Sequence, residues 1–128
     1  MPHVLVIEDD AQLRPVIARM LRVSGYEATE AADGATGLAR WRDGGADVVL
    51  TDLYLGDMDG IQVVLQLRAQ APALPIIVMS GSAIAADTAR LREAHLLDGL
   101  TVLEKPFSLA TLTAVVRSAL ATPRQEQA

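Results

Sequence analysis

Two apolar runs in the 128-residue chain end in carboxylates. Val4-Leu5-Val6-Ile7 is closed by Glu8-Asp9-Asp10, and Val48-Val49-Leu50-Thr51 is closed by Asp52. The only lysine, Lys105, stands much further along, in front of Pro106. If the two runs are neighbouring parallel strands, Glu8, Asp9 and Asp52 converge on one spot. Carboxylates gathered in this way repel one another unless a cation sits among them. The residue types therefore describe a divalent-metal site beside a carboxylate able to accept a group.

Hard cations such as Mg2+ take oxygen ligands in a near-octahedral array and keep several waters. Asp9, Asp52 and a backbone carbonyl just after Asp52 supply half of such a shell, with Glu8 holding a metal-bound water. An ionised carboxylate can act as a nucleophile, and aspartyl phosphate is a known covalent species. Phosphoryl transfer asks the protein mainly for positioning and charge neutralisation. Lys105 supplies a fixed positive charge, to Asp52 at rest and to the phosphoryl group afterwards. Ser80 closes another apolar run, and its hydroxyl can donate to a phosphoryl oxygen only once that group has arrived. A contact made in one state alone can bias a conformational equilibrium.

The elements that must position these residues alternate along the chain. His3 to Ile7 reads as a buried parallel strand. A helix from about Gln12 to Val23 carries Leu13, Val16, Ile17, Met20 and Leu21 on one face, with Pro15 near its first turn. Tyr26 to Ala31 is a weaker strand whose Glu27 and Glu30 suit a sheet edge. Asp33-Gly34 opens a short helix to about Arg42, and Asp47 to Thr51 is the second strongly apolar strand. Asp59 is placed to cap a helix from Gly60 to Ala71 that offers Ile61, Val64, Leu65 and Leu67 to the core. Ile76 to Met79 is a strand ending at Ser80-Gly81. A helix follows from Asp87 to Leu97, with Asp87 or Thr88 at its start. Thr101 to Glu104 is a short strand, and Ser108 caps a last helix with Leu109, Leu112, Val115, Val116 and Leu120 at helical spacing. Strict alternation of five strands with five helices predicts a parallel α/β sheet covered on both faces. Ligands in such sheets lie beyond the carboxyl ends of the strands, where Glu8, Asp9, Asp52, Ser80 and Lys105 are found.

Composition narrows the classes of function. The length suits one domain, expected at residues 1–121, with 122–128 as a polar tail opened by Thr122-Pro123. There is no cysteine, which removes disulfides and thiolate metal sites. The net charge of −5 and 3% aromatic content argue against direct nucleic-acid binding. No apolar stretch is long enough to span a bilayer and no secretory signal is evident, so no membrane association and a cytoplasmic location are expected. His3 and His95 stand without paired ligands and read as structural. Asp10, Asp57 and Asp59 read as cap and turn residues.

Taken together, the motifs resemble the receiver domain of two-component response regulators. The matching segments are Leu5-Val6-Ile7-Glu8-Asp9-Asp10, Asp52-Leu53 with Met58-Asp59-Gly60 after it, Met79-Ser80-Gly81 and Lys105-Pro106-Phe107. The resemblance runs from about residue 3 to 121. It implies a flavodoxin-like (βα)5 three-layer sandwich with strand order 2-1-3-4-5. It also implies Asp52 as phosphoacceptor, and a Mg2+ (or Mn2+) site made by Glu8, Asp9, Asp52 and the backbone carbonyl of Tyr54. Lys105 and Ser80 take the roles argued above, and the Lys105–Pro106 peptide is expected to be cis. The implied partners are a sensor histidine kinase or a histidine phosphotransfer protein, together with a downstream protein target. The implied chemistry is self-catalysed phosphotransfer and autodephosphorylation rather than conventional enzyme turnover.

The chain departs from the family at one switch position. Tyr or Phe usually stands three residues before the lysine, and here that residue is Val102. A ring that turns inward on phosphorylation is missing there. The alternative reading is a receiver-like protein-binding module that works without phosphorylation; the complete set of site residues argues against it.

Overall fold

A computed structural model describes residues 1–121, so the expected tail at 122–128 lies outside the described residues. The elements alternate as β1 (His3–Ile7), α1 (Leu13–Val23), β2 (Glu27–Ala31), α2 (Gly34–Gly44), β3 (Val48–Asp52), α3 (Gly60–Gln70), β4 (Ile76–Ser80), α4 (Ile84–Glu93), β5 (Leu100–Glu104) and α5 (Leu109–Ala121). All strand pairs are parallel and the sheet order is β2-β1-β3-β4-β5. This is the flavodoxin-like arrangement expected from the alternation and the family resemblance. The Glu-bearing strand β2 is an edge, as its charges required.

Alternation of side chains along each strand divides the core into two layers. Leu5, Ile7, Val49, Ile76 and Val78 face Leu38 of α2, Val63, Val64 and Leu67 of α3, and Leu91 of α4. Val4, Val6, Val48, Leu50, Ile77 and Met79 face Ile17 and Leu21 of α1, and Leu112 and Val116 of α5. The central strands are therefore apolar on both sides, and each fully buried Leu or Ile contributes about 1.5–3 kcal/mol.

The starts of α1, α2, α3 and α5 are specified locally. The Asp10 carboxylate accepts from the Gln12 and Leu13 amides, Asp33 from Thr36, Asp59 from Ile61 and Ser108 from Thr111. Pro15 falls in the first turn of α1, where its missing N–H costs nothing. Helix α2 runs past Arg42 to Gly44, and Gly45 at φ +66° ends it.

Several expectations need correction. Val16 of α1 and Leu109 of α5, expected on the apolar faces, are exposed, because those faces are centred on Ile17 and Leu21 and on Leu112 and Val116. In α3 it is Val63, not Leu65, that is buried, and Leu65 is exposed. Ile61, Val64 and Leu67 pack on the core as expected, and with Gly60 seated directly on the backbone of Asp52 and Leu53 it is Val63 that joins them in place of Leu65. Helix α4 begins at Ile84 rather than at Asp87 or Thr88, and ends at Glu93 rather than Leu97. Asp87 therefore lies inside the first turn and is fully buried.

Candidate functional site

Strand register sets the site. Ile7 pairs with Thr51, Asp52 with Met79 and Ser80 with Glu104, so the carboxyl ends of β1, β3, β4 and β5 lie level. The next residues past β1 are Glu8 and Asp9, and Asp52 closes β3. The Lys105 amide donates to the Ser80 carbonyl at 2.7 Å, which extends the β4–β5 ladder by one step and brings the lysine to the rim. The Lys105–Pro106 peptide is cis.

Lys105 Nζ donates to Asp52 Oδ2 at 2.7 Å and to Glu8 Oε1 at 2.6 Å. Both acids are buried, whereas Asp9 is exposed beside them. One carboxylate oxygen from each of Glu8, Asp9 and Asp52 lies within 4.8 Å of the other two. Burial, then the nearby Asp52 charge, pushes the Glu8 carboxyl up, and its bond to Lys105 only partly opposes this. Burial alone would lower Lys105, but its bonds to Asp52 and Glu8 outweigh that and raise it. A single ammonium serves the two buried carboxylates, and the exposed Asp9 beside them has none, so the cluster keeps a negative excess. An all-oxygen donor set with that excess suits a small hard cation.

The β3–α3 loop forms the wall of the site. The Tyr54 amide donates to Asp52 Oδ1 at 3.0 Å, fixing the carboxylate from the side opposite Lys105. Asp57 accepts from the Gly34 and Ala35 amides, which ties this loop to the start of α2 and holds its carboxyl below the usual range. Asp9, Tyr54, Gly56, Asp57 and Asp59 line an open hollow of about 450 Å³ along this loop.

Ser80 is buried at the end of β4, as required, but its hydroxyl is already engaged. It donates to Asp87 Oδ2 at 2.5 Å, and the Tyr54 hydroxyl donates to Asp87 Oδ1 at 2.5 Å. In the sequence Asp87 reads as a helix start, and Tyr54 as a carbonyl ligand flanking the site where it could tune water access; the bonds of Asp87 to Tyr54 and to Ser80 are not visible there. The available signal was an acid seven residues after the serine, too generic to stand out alone.

The family model for the response regulator receiver domain matches residues 4–117. The chain belongs to that family. Among curated proteins, this receiver domain is 38% identical over 125 residues to the sensory transduction protein RegX3 of Mycolicibacterium smegmatis, covering 94% of the chain and 51% of that protein. It is 36% identical over 119 residues to the transcriptional regulatory protein PrrA of Mycobacterium bovis, covering 93% and 50%. The chain thus spans about half the length of the curated relatives it matches. Among solved structures, the receiver domain of NtrX from Brucella abortus superposes with a TM-score of 0.84 at 27% identity, covering 93% of this chain and 98% of that one. The chemotaxis response regulator CheY4 of Vibrio cholerae gives 0.83 at 27% identity, covering 94% and 99%. The acidic pocket is of the kind in which receiver domains bind Mg2+, and no helix among the described residues is long and apolar enough to cross a membrane.

Proposed function

We propose that this receiver domain takes a phosphoryl group onto Asp52 from a phosphohistidine and so reports the state of a kinase to a protein target. The observation that carries the reading is the shared ammonium: Lys105 bonds the Asp52 carboxylate at 2.7 Å while Tyr54 N–H fixes the other oxygen. An Asp52 oxygen attacks phosphorus in line, the P–N bond breaks, and its electrons return to the imidazole, which takes up a proton. Lys105 then follows the charge from the carboxylate to the phosphoryl oxygens. Glu8, Asp9, Asp52 and the Tyr54 carbonyl would hold Mg2+ or Mn2+, which when bound supplies the remaining neutralisation of phosphoryl charge. Hydrolysis of the acyl phosphate at the same centre would reset the domain.

The phosphodonor would be a sensor histidine kinase or a histidine phosphotransfer protein, and the site of action the cytoplasm. Residues 1–121 would form the switching unit. The test is intact-mass measurement after incubation with acetyl phosphate and Mg2+. The wild type should gain one acid-labile phosphoryl group, and Asp52→Asn should gain none. An unmodified wild type under those conditions overturns the reading.

A further inference from the structure

Asp87 has no part in the chemistry above, yet it is 0% exposed and carries two hydroxyl donors, Ser80 and Tyr54. It sits in the first turn of α4, whose cap residue Ala83 offers no side-chain bond, so the carboxylate also meets the positive end of the helix. We propose that Asp87 is a positioning residue that holds Ser80 away from the phosphoryl site, and that Tyr54 sets how firmly it does so. The inference rests on Asp52 being the phosphoacceptor.

The argument is one of competition for a single proton. A serine hydroxyl has one hydrogen to donate. In this structure that hydrogen is committed to Asp87 Oδ2. To reach a phosphoryl oxygen on Asp52, Ser80 must leave a buried carboxylate short of a donor, which is unfavourable. Tyr54 offsets part of that loss, because its hydroxyl stays on Oδ1. The ring is 55% exposed and lies beside Arg90, which pairs with Asp59 at 2.6 Å. Release of Ser80 is thereby felt along a chain of polar contacts from the end of β4, through α4, to the cap of α3. With Val102 in place of a ring on β5, this chain gives α4 a route to sense the phosphoryl group.

The two partners of Asp87 have opposite effects on the switch. Removing Asp87 frees Ser80 and favours the phosphorylated form. Removing the Tyr54 hydroxyl leaves Asp87 dependent on Ser80 alone and disfavours it. The measurement is the apparent affinity for beryllofluoride, a tetrahedral phosphoryl mimic, in the presence of Mg2+ by titration calorimetry. Asp87→Ala should bind at least fivefold more tightly than wild type, and Tyr54→Phe at least threefold more weakly. Both effects should vanish in a Ser80→Ala background, which a merely structural role for Asp87 would not bring about.

Because Asp87 is buried, far-UV circular dichroism accompanies the titrations. Should Asp87→Ala fail to fold, the exposed Tyr54→Phe decides. Unchanged affinity in the folded variants, or shifts that persist without Ser80, overturns the positioning role. If the wild type still takes a phosphoryl group from acetyl phosphate, that failure leaves the phosphoacceptor reading standing. A wild type that takes none removes both.

Discussion

Lys105 and Glu8 lie 97 residues apart in sequence, yet their charged atoms are 2.6 Å apart, and the same ammonium reaches Asp52 at 2.7 Å. One cation thus serves two buried acids, while the third acid beside them, Asp9, makes no hydrogen bond or ion pair among the described residues. The site is built to be short of positive charge. This shortage destabilises the resting fold and favours cation binding, so substitutions should separate the two effects.

Asp9 contributes repulsion without a compensating bond. Asp9→Asn should therefore leave metal-free stability unchanged or raise it by about 0.5–1 kcal/mol, measured by urea unfolding. The same variant should bind Mg2+ at least tenfold more weakly by calorimetry. A variant that loses stability in the absence of metal would contradict the assignment of Asp9 as an uncompensated charge.

The pH dependence of stability has a definite sign. Glu8 titrates above its ordinary value of 4.5 because it is buried. Over the window between its unfolded and folded values, the folded protein binds the proton more tightly. Its contribution is therefore present below about pH 4.5 and lost as pH rises through the folded value. Lys105, raised above 10.5, stabilises fully below that value and loses its contribution as pH rises beyond it. Asp57 and Asp10 act oppositely: lowered below 3.8 by backbone amides, they stabilise above that value and lose this as pH falls. In metal-free urea titrations across pH 4–7, Glu8→Gln should flatten the slope that Glu8 imposes. An unaltered slope would show that burial of Glu8 does not control it.

Gly60 is needed for space. A Cβ there would stand 2.5 Å from the Asp52 carbonyl oxygen and 2.5 Å from Leu53 Cα, both backbone atoms. Gly60→Ala should cost about 2–3 kcal/mol and slow phosphorylation, because it displaces Asp52. Gly44, at the end of α2, has nothing near its would-be Cβ, so Gly44→Ala should change stability by less than about 1 kcal/mol. Equal losses at the two positions in thermal melts would refute the steric account.

Val102 packs against the α2–α3–α4 side of the core and reaches no site atom by hydrogen bond. Val102→Ala should cost roughly 1–2 kcal/mol in stability while leaving the rate of labelling by acetyl phosphate nearly unchanged. A large loss of labelling would mean that Val102 takes part in the switch despite lacking a ring.

The sheet was legible in the sequence because its central strands are buried on both faces and read as apolar runs rich in β-branched residues. The site followed from it, since strands of equal length in parallel register bring their terminal acids level. What escaped was set by distant partners. Asp87 has the local look of a helix cap, and only the meeting of β4, α4 and the β3–α3 loop turns it into a buried acceptor for Ser80 and Tyr54. The apolar face of α3 was misjudged by one residue for a similar reason. Helical spacing fits 61, 64, 65 and 67 as well as 60, 63, 64 and 67, and the close seat of Gly60 on β3 chose between them.

That close seat also gives the domain a direction. Backbone rests on backbone beneath Asp52, so the floor of the pocket cannot yield. Under the proposed chemistry, a new group on that carboxylate would push sideways, against the rim of Ser80 and the first turn of α4, which is held by the Ser80–Asp87 hydrogen bond rather than by backbone packing. The glycine would serve as an anvil for that push.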